Sequence, residues 1–132
     1  MTNSLSRLHK TMTYTSTTKL ESQICPGVQF TIRRMTLGRR LEMIRQVRDR
    51  AKRLTFHIAG DSLEDSMNTS LLVSEIEELY LEWGLVAIEG LQIDGLTADR
   101  SLLVSSGPEL LCKEIIAAIK AEVFLSEAER KN

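Results

Sequence analysis

The sequence predicts a mainly α chain of the α+β kind, with three principal helices and one or two small β-hairpins. Three observations carry this. Leu, Ile, Val and Met recur at helical spacing over 37–58, 70–83 and 108–125. Val28, Phe30 and Ile32 alternate with Gln29, Thr31 and Arg33 in the two-residue period of a half-buried strand. A chain of 132 residues, 42% hydrophobic and 27% charged, can bury one modest core.

Residues 1–16 are rich in Ser and Thr and poor in large apolar residues, which predicts a flexible N-terminal arm. Residues 17–132 then form a single helical domain with an N-terminal β-hairpin. Pro26-Gly27 is a turn signal before the 28–33 strand, and a strand around 18–24 completes the ribbon. Thr36 is the expected N-cap of a helix over 37–58 that Gly60 ends. At 100° per residue, Leu37, Leu41, Ile44, Val47, Ala51, Leu54 and Ile58 share one apolar stripe, expected to face inward. Glu42 and Asp49 are spaced to pair with Arg45 and Arg53. Arg39, Arg45, Arg50, Lys52 and Arg53 lie off the stripe. Arg48 is the exception: it projects from the stripe, and burial there requires an acidic partner or a snorkelling head group.

Residues 60–69 read as a linker or as an acidic first turn. The helix over 70–83 sets Leu72, Val73, Ile76, Leu79, Tyr80 and Trp83 against Glu75, Glu77, Glu78 and Glu82, and Gly84 ends it. The segment 85–98 has too many glycines for a helix interior, and its Asp94-Gly95 pair marks a tight turn or small hairpin. Thr97 is the expected cap of a short helix reaching Val104. Pro108 suits the first position of the last helix, over 108–125, with Leu111, Ile115, Ile119 and Val123 inward. Ser126 and Glu129 form a capping box for one further turn.

The formal charge of −1 conceals a division. Up to Arg53 the chain carries 12 Lys and Arg against 3 Asp and Glu, and from Leu54 onward 5 against 15. Between Leu54 and Asp99 there is no Lys or Arg. Nine cations between Arg33 and Arg53 could lie against phosphates. No aromatic residue precedes Phe56 on that helix, however, and the acidic half repels a polyanion, so nucleic acid is not the expected partner. Pairing of the basic helix with the acidic one, within a copy or between copies, accounts better for the pattern and admits a homo-oligomer.

No chemistry-bearing constellation emerges. His57, Asp61 and Asp65 are spaced as three ligands on one helical face, but Gly60 interrupts that face, so no metal is expected. Cys112 falls on the apolar side of the last helix and Cys25 in a turn, and both read as inert thiols. The glycines match no phosphate-binding loop, and no Ser/His/Asp set can be assembled. The expectation is a non-enzyme without a cofactor. The N-terminal stretch lacks the apolar core of a secretion signal, and no run approaches the ~20 apolar residues of a bilayer span. No membrane association is expected. The residues expected to meet partners are Arg39, Arg45, Arg50 and Arg53, Glu75, Glu78 and Glu82, and the aromatic pair Tyr80 and Trp83. The aromatics serve equally as core in a chain with only six.

The runs VQFTIRRMTLGRRLEMIRQV, EIEELYLEWGLVAIEGLQIDG and SGPELLCKEIIAAIKAEVFLSEAERKN resemble small proteins from the tail-morphogenesis region of tailed bacteriophages and prophages. The nearest family is the tail assembly chaperones of long-tailed phages. The resemblance covers about Gln23–Asn132 and is best from Glu75 onward. It implies a small, largely helical, non-enzymatic protein of the host cytoplasm. Such a protein holds the tape-measure protein, recruits tail-tube subunits, and is absent from the finished virion. A virion component of the neck or tail completion is the alternative, as is a small effector that binds nucleic acid or a host defence protein.

Overall fold

The computed structural model describes the backbone of residues 10–131 and the side chains of 10–122. Most of the expected N-terminal arm, residues 1–9, lies outside the described residues. Strand β1 (Thr17–Glu21) pairs antiparallel with β2 (Gln29–Arg33). Helix α1 (Leu37–Ala59) and helix α2 (Leu63–Gly84) follow, and α2 passes directly into β3 (Leu85–Glu89). A two-stranded ribbon, β4 (Gln92–Ile93) and β5 (Leu96–Thr97), leads to α3 (Arg100–Ser106) and α4 (Glu109–Lys131). The described residues thus form an α+β fold of four helices and two small antiparallel sheets.

The sheet order is β1-β2-β3, so the N-terminal ribbon acquires a third strand that the sequence reading left as an irregular stretch. Thr31 faces Ala87 while Ile32 faces Leu85, so Val86 bulges out of the ladder. The bulge puts Leu85 and Ile88 inward and breaks the two-residue alternation by which a strand is recognised. Gly90 follows at φ +81°, where a Cβ would stand 2.3 Å from the Gly27 carbonyl oxygen. Asp94 and Gly95 both take positive φ, 51° and 79°, as the expected Asp-Gly turn requires.

Three helix boundaries differ from expectation for identifiable reasons. Of the two readings of 60–69, the acidic first turn is the one adopted. Ser62 Oγ accepts from Asp65 N at 3.0 Å, and Glu64 and Asp65 favour the positive end of the helix dipole, so α2 starts at Leu63. Asp99, not Thr97, caps α3, accepting from Leu102 N at 2.8 Å, because Thr97 is held in β5. In α4 the backbone stays helical past Ser126 to Lys131, with no Gly or Pro after Pro108 to stop it. Thr36 caps α1 and Gly60 ends it, as expected.

The core lies between the inward face of the sheet and α3, α4 and the last turn of α2. Leu103, Leu111 and Ile115 are fully buried, and Phe30, Ile32, Leu81, Leu85 and Ile119 pack with them. Leu111, Ile115 and Ile119 take the positions expected of them, while the Val123 side chain lies outside the described set. Helix α1 contributes nothing to this cluster. Its main packing partner is α2, with which it forms an antiparallel hairpin about 35 Å long.

Candidate interaction face

The stripe on α1 does not face inward as the sequence led one to expect. Leu37, Leu41, Ile44 and Ile58 are 72%, 46%, 52% and 63% exposed, and the buried side chains of the helix are Arg40 and Met43. The cause is a pair of polar ties. At the tip, Asp65 Oδ1 lies 2.9 Å from His57 Nδ1. At the root, Arg39 Nη1 donates to the Trp83 carbonyl at 3.3 Å. Arg39 and His57 stand on the same side of α1, and together they turn that side onto α2. The seam therefore runs through Arg39, Met43, Gln46, Arg50, Leu54 and His57, about 100° away from the centre of the apolar stripe. Only Val47, Ala51 and Leu54, on one flank of the stripe, are partly covered.

The exposed flank forms one wall of a groove along the hairpin. Met35, Met43, Ile44, Val47 and Tyr80 line it together with Arg40 and Arg48, and its volume is about 220 Å³. Arg48 is exposed, so its apolar stem lies along the stripe and its charge reaches water. Lys120 of α4 stands over the Tyr80 ring, 5.3 Å from its centroid. Burial raises the Tyr80 phenol above its ordinary value.

The residues expected to meet partners are distributed over the hairpin rather than gathered. Arg45 is exposed and makes no hydrogen bond or ion pair among the described residues, and Arg48 and Lys52 are the same. Arg53 reaches only Asp49 of its own helix at 3.9 Å, and Arg50 bonds Gln46 through Nη1. Glu42 does not pair with Arg45. Glu78 and Glu82 are exposed on the opposite edge, lining a shallow cleft with Arg100 and Val104. Glu75 is half-buried, and its Oε2 has no partner. Tyr80 and Trp83 are each half-buried, Tyr80 against the core. The basic and acidic helices pack together, yet Arg45, Arg48, Arg50, Lys52 and Arg53 take none of α2's carboxylates.

The root of the hairpin is fastened from a second side. Arg100 Nη1 donates to the carbonyls of Glu82 at 2.9 Å and Leu85 at 3.3 Å, satisfying oxygens that the end of α2 leaves open. Lys113 bonds Glu77 across α2 and α4, and Ser22 Oγ and Gln23 N both donate to Glu114, which anchors the β1–β2 loop to α4.

His57 and Asp65 meet across the turn between two helices, Asp61 stays outside, and no group of three potential ligands occurs among the described residues. Burial, with Glu109 adding to it, raises the Cys112 thiol and so lowers its thiolate fraction. No helix among the described residues is long and apolar enough to cross a membrane.

No family model matches this chain. No curated protein and no solved structure matches it either. The groove residues Met35, Met43, Ile44 and Val47 were missed as a group, because Ile44 and Val47 belong to a stripe that reads as core and Met35 and Met43 lie off it. A clue was Arg48, a cation on the stripe that needed an acidic partner or a snorkelling head group to be buried.

Proposed function

We propose that this protein is a non-enzymatic tail assembly chaperone of a tailed bacteriophage, holding the tape-measure and tail-tube proteins during morphogenesis in the host cytoplasm. The observation that carries the reading is the hairpin's exposed apolar flank, bordered by Arg45, Arg48 and Lys52, which have no partner among the described residues. Stable monomers rarely leave such a strip open, and a protein that grips clients reversibly needs one. The resemblance of the β2–α1, α2–β3 and α4 sequences to phage tail-morphogenesis proteins gives the clients. Opposite charge on α1 and α2 also supports association between copies.

Co-expression with the tape-measure and tail-tube proteins of the same phage, followed by affinity capture, tests this. Capture of either is expected, and capture of neither overturns the reading. A virion component of the neck or tail completion is the rival class, and mass spectrometry of purified particles separates the two. A chaperone is absent from the particles; a structural component is present in them.

A further inference from the structure

We infer that the groove between α1 and α2 seats an acidic amphipathic helix of a partner protein, with one large aliphatic or aromatic side chain as its anchor. The inference rests on the partner-binding reading above and adds the chemistry of what is bound. Its floor is Met35, Met43, Ile44, Val47 and Tyr80, all apolar in body, and the two methionines give it a surface that can reshape around an anchor. A volume of about 220 Å³ is below the ~300–1,000 Å³ of small-molecule pockets and suits a single side chain. The groove follows two helices, so a third helix can lie along it, seating its one anchor in the groove and laying its other apolar residues over the exposed stripe.

Charge fixes the kind of helix. Arg48 stands at the rim, Arg45 and Lys52 lie further out on α1, and Lys120 covers the other side over Tyr80. Among the described residues, no carboxylate lines the groove. A helix with Glu or Asp beside its apolar anchors would meet these cations as it docks, and a lysine-rich helix would be repelled.

The probe is a fluorescein-labelled peptide with leucine at the a and d positions of its heptads and glutamate at most others. Its lysine counterpart is the control, and fluorescence anisotropy with the full chain is the readout. The acidic peptide should bind, more weakly as salt rises. Ile44→Asp and Arg48→Glu alter exposed side chains, so both variants should keep the wild-type circular dichroism. Each should weaken binding by about tenfold or more. Arg48→Glu should also reduce the preference over the lysine peptide. No binding, equal binding of both peptides, or unchanged binding by both variants overturns the inference. So does a wild-type oligomer in light scattering that both variants convert to monomer, because a second copy then fills the groove. No tail protein enters this experiment, so its failure leaves the capture experiment with tape-measure and tube proteins to be judged separately.

Discussion

Arg50 and Glu75 each bury a polar atom without a partner, Nε in one and Oε2 in the other. The two ties at the ends of the hairpin place Arg50 level with Leu72, one turn from Glu75. Both side chains thus sit inside a seam where water is scarce and the pairing is incomplete. Leaving a buried polar atom unsatisfied costs roughly 1–3 kcal/mol, and replacing both partners by apolar groups is often stabilising. The double change Arg50→Met with Glu75→Leu should therefore raise stability by about 1–3 kcal/mol. A higher urea midpoint at unchanged slope would show it. Asp65 gives the hairpin a dependence on pH. Its hydrogen bond to His57, and then that from Ser62, hold its carboxyl below the ordinary 3.8. A depressed carboxyl contributes its full stability above the unfolded value and loses it as pH falls through the folded one. Thermal melts should hold steady down to about pH 4 on this account and then drop, and the part of the drop due to Asp65 should vanish in Asp65→Asn.

Among elements, the contact of α2 with α4 depends on Gly84. A Cβ there would come within 2.5–2.7 Å of three carbons of Ile119, which is itself buried. Gly84→Ala should destabilise by about 1–3 kcal/mol through overpacking, measured by the same urea titration. Elements with local signals were legible in the sequence. Thr36 and Gly60 delimited α1, Asp94-Gly95 gave the β4–β5 turn, and Leu111, Ile115 and Ile119 gave the inward face of α4. Strand β3 was not legible, because the bulge at Val86 removes the alternation that marks a strand. The rotation of α1 was not legible either. It goes with the ties of Arg39 to the Trp83 carbonyl, 44 residues on, and of His57 to Asp65 across the turn, whereas periodicity reports only where the apolar side is.

On the scale of the whole molecule, the division of charge survives folding. The basic helix lies against the acidic one, yet the seam is held by His57–Asp65 and by a backbone carbonyl. Arg45, Arg48 and Lys52 face outward on one edge, and Glu64, Glu78 and Glu82 are exposed on α2. Of the nine cations between Arg33 and Arg53, Arg40 is buried, Arg39 and Arg50 are half-buried, and the other six are exposed. The sequence did not indicate that the apolar stripe would be exposed beside them. The candidate site was therefore half legible: its charges were visible, its apolar floor was not.

The root of the hairpin has a mechanical consequence. Helix α2 enters β3 without a loop, and the carbonyls of Glu82, Trp83 and Leu85 at that junction are grasped by Arg39 on one side and Arg100 on the other. A free connection would let the hairpin swing. This one makes it a bracket set at a fixed angle to the sheet. On the partner-binding reading proposed above, a partner held by the hairpin would sit at the same bearing to the sheet in every copy.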